Sequence, residues 1–365
     1  MIEVAKIETA KKILILGNLG YVGPVLTAYL RQHDPNAELI GYDTGYFKDC
    51  FWTTSNIADI LPHQQIFGDI RDFNPDCLKQ VQAVIALAAI SNDPMGNVYA
   101  RATHDINTKA TVAIARQAKK AGVRHFVFAS SCSVYGAAGE ESKDEHAPLN
   151  PLTAYAQSKV DCENELAALA DNNFFITCLR FATACGDSPC LRLDLVLNDF
   201  VANALLTEKI EILSDGTPWR PLIDVRDMSR AIDWALGRHT NYGEAKTPFL
   251  ILNVGSNDWN FTVKSLALAV QQALPKVRLE INTHALPDKR SYRVNFSKFR
   301  ALAPLHHPVE TLQDTIKQLV LRLQQANLVS LLPNGLRQSQ FIRLNKLNSL
   351  QAARILDANL RWVAK

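Results

Sequence analysis

Tyr155 and Lys159 stand four residues apart, a spacing that puts both side chains on one face of a helix. An ammonium beside a phenol favours the phenolate. Bringing a tyrosine from about 10 towards 7 takes roughly 4 kcal/mol of differential stabilisation and makes it a usable base at neutral pH. The plain alternative is an exposed Tyr and Lys on an amphipathic helix, so the pair gains meaning only from what accompanies it. Upstream, Gly17-Asn18-Leu19-Gly20-Tyr21-Val22-Gly23 follows an apolar run and opens a helical pattern. Glycines there let the backbone turn tightly and approach a pyrophosphate, whose charge is met by the helix N-terminus. Asp43 ends the next apolar run, where a carboxylate accepts ribose hydroxyls and repels a 2′-phosphate. No arginine follows it in Thr44-Gly45-Tyr46, so the expected cofactor is NAD and not NADP.

These residues need a scaffold that brings strand ends together. Strand-length apolar runs at 12–17, 38–43, 65–68, 83–88, 124–130 and 174–180 alternate with helical periodicity at 21–32, 97–121 and 153–170. Gly122 closes the second of those helices. This rhythm predicts an α/β chain with a Rossmann-type, doubly wound parallel sheet. After Arg180 the rhythm loosens, which predicts a smaller, interleaved α/β substrate domain. The expected division is a dinucleotide-binding domain over 1–185 with returns near 221–255, a substrate domain mostly over 186–330, and a helical tail over 331–365. That tail is basic and loosely amphipathic through Phe341, Leu344, Leu347 and Ile355. It is expected to pack on its own domain or on a second copy of the chain.

Ser130-Ser131-Cys132-Ser133-Val134-Tyr135-Gly136 precedes the Tyr155/Lys159 pair. Together with the GxxGxxG spacing of Gly17, Gly20 and Gly23, these motifs resemble the extended short-chain dehydrogenase/reductase family over about residues 11–321. That group comprises nucleotide-sugar epimerases, dehydratases and 4-dehydrogenases. The resemblance implies that Tyr155, Lys159 and Ser131 are catalytic, with Ser131 sharing the substrate's proton with Tyr155. It implies that Tyr21 and Val22 meet the cofactor beside the glycines and Asp43, that Asp69 and Ile70 contact adenine, and that Leu87, Ala88 and Ala89 line the cofactor. Asn107 resembles the asparagine that positions the lysine. On the substrate side, Asn198 and Arg220 resemble the diphosphate-binding asparagine and arginine of the family. Arg192 and Ser133 are further candidates there, and within 288–293 Arg293 is preferred over Arg290. Arginine suits phosphate oxygens by its planar fork; the alternative for each is a solvated surface charge.

The departures from the family pattern carry information. In 4,6-dehydratases the two residues after the catalytic hydroxyl are typically an Asp-Glu pair, which here is Cys132-Ser133. Neither replaces a carboxylic acid well, so dehydration is disfavoured. Cys132 is an acid/base candidate, since thiols titrate near neutrality beside electropositive groups; the alternative is a small packing residue. Thr183 and Cys185 likewise replace the Asn and Tyr often found before Gly186. The resulting expectation is an NAD-dependent nucleotide-sugar epimerase working through a 4-keto intermediate. A 4-dehydrogenase or 4-ketoreductase, then a 4,6-dehydratase, are the alternatives. A redox-sensing module without turnover is disfavoured by the intact Tyr/Lys pair.

Bulk properties set the outer bounds. The 39 basic and 36 acidic residues leave a formal charge of +3, too balanced for a nucleic-acid or membrane-surface protein. Seven cysteines, odd in number and without a CxxC pair, argue against a disulfide framework, and the scattered histidines give no metal-ligand spacing. No apolar stretch approaches the roughly 20 residues of a membrane span. Glu3 and Glu8 before the short aliphatic run at 13–16 do not read as a secretory signal. A cytoplasmic homodimer acting on a nucleoside-diphosphate sugar is the expectation.

Overall fold

The computed structural model describes residues 11–52, 57–137, 141–238, 243–282, 285 and 290–363. Glu3 and Glu8, on which the leader reading rests, lie outside the described residues. The described strands are β1 (Lys12–Leu16), β2 (Glu38–Asp43), β3 (Gln64–Phe67), β4 (Ala83–Ala86), β5 (His125–Ser131), β6 (Ser142–Lys143) and β7 (Phe175–Phe181). They continue with β8 (Thr183–Cys185), β9 (Lys209–Ile212), β10 (Trp219–Asp224), β11 (Phe249–Val254), β12 (Asn260–Thr262), β13 (Arg278–Ile281) and β14 (Arg293–Val294).

Seven of these form one parallel sheet in the order β11-β7-β5-β4-β1-β2-β3. Successive side chains of a strand face opposite sides, so a sheet buried on both faces needs near-continuous apolar strands. β1 shows this directly. Leu14 and Leu16 enter one core with Val84, Phe126, Phe128 and Ala115, and Ile13 and Ile15 enter the other with Ile85, Val127, Leu179 and Ile232. The strand order reverses between β1 and β4, which opens a crevice at the carboxyl ends of the strands.

A third core belongs to the smaller unit. Leu197, Phe200 and Val201 of the helix Val196–Thr207 pack with Ile210, Leu222, Leu266 and Leu319. The small sheets β12-β10-β8 and β13-β9 lie in this region, while β11 returns to edge the main sheet. The stretch read as one helix over 97–121 is broken: Asp93–Val98 and Ala100–Thr103 are α-helical, His104–Ala110 is a π-helical turn, and Thr111–Lys120 resumes the α-helix.

The chain's last segment docks on the first core. Leu347 and Leu360 are fully buried there beside Leu350 and Leu356, and burying one leucine contributes roughly 2 kcal/mol. That is enough for this segment to hold a fixed place beside the crevice. Among the described residues no helix is long and apolar enough to cross a membrane.

Candidate active site

The crevice is a cleft of about 750 Å³. At its floor Gly17 leaves β1 with φ +82°, and a Cβ there would stand 2.5 Å from the backbone nitrogen of Ala88. The turn is pressed against the end of β4 so closely that only glycine fits. A Cβ on Gly23, the first residue of the helix Gly23–His33, would meet the Asn18 carbonyl oxygen at 2.1 Å, so Gly23 serves the turn's packing and not the cleft wall. Gly17, Gly20, Tyr21 and Val22 do line the cleft. Asp43 is fixed by two amides, Leu19 N at 3.0 Å and Gly45 N at 2.7 Å. Burial pushes its carboxyl up, and those amides together with the Arg343 charge pull it down. Ile70, Leu87, Ala88 and Ala89 are also in the wall. Asp69 is there as well, but its carboxylate is clasped by the Arg71 guanidinium, with Nε 3.0 Å from both oxygens.

The catalytic candidates meet at the other end. Thr153 caps the helix Ala154–Ala167, its hydroxyl oxygen accepting from Ala156 N at 3.1 Å. That helix presents Tyr155 and Lys159 to the cleft. Ser131 closes β5, and its Oγ accepts from Ser133 N at 3.1 Å. One turn beyond Lys159, buried Glu163 takes the Ser130 hydroxyl at 2.6 Å and the Arg180 guanidinium at 2.7 Å, tying the helix to β5 and β7. Asn107, in the π-helical turn, bridges Ile90 and the Ser158 hydroxyl beside Lys159. It is 1% exposed and holds the helix and the loop after β4 in place without lining the cleft itself. π-helical turns are frequent at functional sites, and this one aims that amide.

The electrostatics correct the simplest reading of the pair. Lys159 Nζ donates to Ala129 O at 2.6 Å and lies 5.5 Å from the Tyr155 ring centroid. Burial lowers the ammonium from 10.5 to about 8. Burial also raises the Tyr155 phenol to about 12, against the hydrogen bond from Ser131 that lowers it; Asp93 raises it further and Arg192 lowers it. Burial of the phenol therefore outweighs the groups that draw it down, and a nearby ammonium by itself does not bring Tyr155 to neutrality.

Cys132 is not in the cleft. It is fully buried, its thiol donates to Arg180 O at 3.1 Å, and burial pushes it up, away from neutrality. The acid/base assignment gives way to the packing role. Cys132→Ser keeps size and a donor to that carbonyl, so turnover is expected to stay within about threefold of wild type, a steady-state assay being the check. Ser133 does line the cleft, with a buried hydroxyl that has no partner among the described residues.

Asn198 is also displaced from its expected place. It is fully buried, and its amide is spent on Gly186 N, the Tyr21 hydroxyl and Arg192 O. Tyr21 in turn donates its hydroxyl to Gly186 O at 2.6 Å. Asn198 thus shapes the segment carrying Arg192 and is not among the residues lining the cleft. Arg192 lines the cleft, buried, with Asp194 across a 2.9 Å ion pair and Ser91 at 3.0 Å. Arg220 lines it too. Arg293 does not: it is exposed and stacks 4.8 Å from the Trp219 ring centroid, while Arg290 lines the cleft and pairs with Asp93 at 3.1 Å. The preference for Arg293 is reversed by the direction of β14, which turns residue 293 away. Sequence reasoning missed Tyr292, whose ring is buried in the cleft wall, and Arg343 from the tail. Arg343 has no local motif; Tyr292 stood beside the residue chosen.

A glycine turn at the switch point, a carboxylate at the end of β2 and a Ser/Tyr/Lys group at the far end define a dinucleotide-dependent enzyme of the extended short-chain dehydrogenase/reductase kind. The chain belongs to the NAD dependent epimerase/dehydratase family, whose model matches residues 13–255. It is 26% identical over 315 residues to YtcB of Bacillus subtilis, an uncharacterized UDP-glucose epimerase, covering 83% of this chain and 95% of that protein. It is 24% identical over 289 residues to a dTDP-D-glucose 4,6-dehydratase of Mus musculus, covering 78% and 79%. The solved structure of MoeE5 in complex with UDP-glucose and NAD superposes with a TM-score of 0.72 at 23% identity, over 87% of this chain and 99% of that one. The residues present fit NAD: the glycine turn admits a backbone-close diphosphate, and Asp43 is held by amides with its carboxylate at the cleft.

Proposed function

We propose that this enzyme is a nucleotide-sugar epimerase that oxidises the sugar at C4 to a 4-keto intermediate and reduces it on the opposite face. One observation carries the reading: Ser131, Tyr155 and Lys159 share one cleft, and the two positions after Ser131 hold a buried thiol and a serine in place of an acid pair. NAD, when bound, supplies the hydride acceptor and a positive charge. Tyr155 takes the proton of the C4 hydroxyl, with Ser131 holding that oxygen. Lys159 places a positive charge behind the phenol and favours its deprotonated form. Protonated again, Tyr155 returns its proton to the C4 oxygen when the keto sugar is reduced. Arg220 and Arg290, forked cations on the cleft wall, suit the diphosphate of the sugar nucleotide.

Elimination of a 6-hydroxyl needs one proton taken from C5 and another donated to the departing oxygen. Cys132 is sealed from the cleft and Ser133 is far too weak an acid, so the 6-hydroxyl survives. Incubation with UDP-, GDP-, CDP- and dTDP-sugars, followed by mass spectrometry and NMR, is expected to give a product of unchanged mass with inverted C4. Loss of water overturns the reading in favour of a dehydratase. Stoichiometric reduction of added NAD with loss of two hydrogens from the sugar overturns it in favour of a 4-dehydrogenase.

A further inference from the structure

Arg343 opens the helix Arg343–Ala352 and lines the cleft, yet is only 2% exposed. Its Nη2 donates to the carbonyl oxygen and the Sγ of Cys190, both at 3.1 Å, and its guanidinium lies 4.5 Å from the Phe47 ring centroid. Nη1 has no partner among the described residues, and none of its hydrogen bonds there goes to a carboxylate. Asp43 and Asp194 feel the Arg343 charge, but neither is hydrogen-bonded to it, and a buried guanidinium nitrogen left without a partner is costly unless an acceptor meets it. Cys190 Sγ lies 3.3 Å from Leu19 O, so a single side chain separates Arg343 from the glycine turn. Asp43, at the ribose end, feels the Arg343 charge.

The segment that carries Arg343 is anchored on both sides of the cleft. On the adenosine side, Trp362 Nε1 donates to Thr44 O at 3.0 Å and its ring packs 5.5 Å from that of Tyr46, whose hydroxyl donates to Leu360 O. Arg71, which clasps Asp69, also donates to Asn359 O at 2.6 Å. On the other side, Arg337 pairs with Asp199 at 2.6 Å and Phe341 O accepts from Leu193 N at 3.0 Å.

We propose that Arg343 binds the diphosphate of NAD and that the C-terminal segment carrying it straps the cofactor into the cleft. This rests on the NAD site and stands apart from the epimerase reading. A planar fork beside the glycine turn adds charge-assisted hydrogen bonds to those of the backbone amides. Because one segment spans the adenosine side and the substrate side, its contacts must loosen before the cofactor leaves, and exchange is slow.

The test uses the full chain freed of bound nucleotide, with ADP as the diphosphate probe and adenosine as the control lacking phosphate. In Arg343→Met, which keeps an apolar stem on Phe47, ADP affinity measured by titration calorimetry is expected to fall about 10- to 100-fold while adenosine affinity holds within about twofold. Arg343→Lys, which keeps the charge, is expected to lose less than the Met variant. Unchanged ADP affinity in Arg343→Met, or equal loss of ADP and adenosine, overturns the proposal. A measurement on the wild type guards against a variant that does not fold. ADP is expected to slow amide hydrogen exchange across 336–363 and adenosine is not; protection absent with ADP, or equal with both, also overturns it.

Discussion

Tyr155→Phe is expected to lower turnover by roughly 10² to 10⁴, the usual worth of a positioned acid/base, while NAD binding stays within about twofold. The phenol is pushed up to about 12 by burial, with Ser131 the main group drawing it down. Bringing it from there to neutrality takes on the order of 7 kcal/mol, and only charges placed at this end of the cleft can provide that. Phenylalanine keeps the ring's packing and removes the phenol that the proposed mechanism uses to exchange a proton with the C4 oxygen. Ser131, a neutral hydroxyl, is no substitute. A single-turnover measurement of hydride transfer beside an NAD titration checks both halves. Turnover within tenfold of wild type removes Tyr155 from the chemistry, and a matching loss of NAD affinity turns it into a cofactor-holding residue.

What could be read in advance follows from how far each signal travels along the chain. The glycine turn, Asp43 and the Tyr155/Lys159 pair are local patterns tied to strand ends and one helix face, and the sheet places them in one cleft. Continuous apolar strands announce a sheet buried on both sides, and β1 divides its side chains between two cores accordingly. Residues whose role depends on who sits opposite were not legible. Asn198 has the right type for a phosphate, but Gly186, Tyr21 and Arg192 consume its amide. Cys132 follows Ser131 in sequence and turns into the core because β5 ends at Ser131 and a 3-10 helical turn over Cys132–Tyr135 begins there, a change of geometry that the sequence pattern does not announce. Arg290 and Arg293 differ by three positions in an irregular stretch where no periodicity fixes direction. The π-helical turn inside the predicted helix over 97–121 leaves no mark in composition. Arg343 was hidden most completely: its contacts are with Phe47 and Cys190, far off in the chain.

Lys159 sets catalysis against stability, and replacing it is expected to separate the two. Burial lowers its ammonium from 10.5 to about 8. The folded chain therefore sheds this proton about 2.5 pH units before the unfolded chain does. Between about pH 8 and pH 10.5 the unfolded state binds more protons, so stability rises with pH across that window. Below about pH 8 the full penalty of holding a buried ammonium applies, roughly 3 kcal/mol. Lys159→Met fills the same volume without the charge. It gives back the penalty and loses the hydrogen bond to Ala129 O, worth about 1 kcal/mol. The nucleotide-free variant should then be more stable than wild type by about 2 kcal/mol at pH 7, and the advantage should shrink as pH climbs past 8. Turnover should fall by 10² or more, since the cation nearest the Tyr155 ring is gone and only Arg192 among the described cations acting on the phenol remains to draw it down. Denaturant melts of both proteins at pH 7 and pH 10, read beside turnover, check this. A variant less stable than wild type at pH 7 shows that Ala129 O and the Phe128 ring, 4.6 Å from Nζ, hold the ammonium more tightly than its burial costs. A stabilised variant with wild-type turnover leaves Lys159 without a catalytic part.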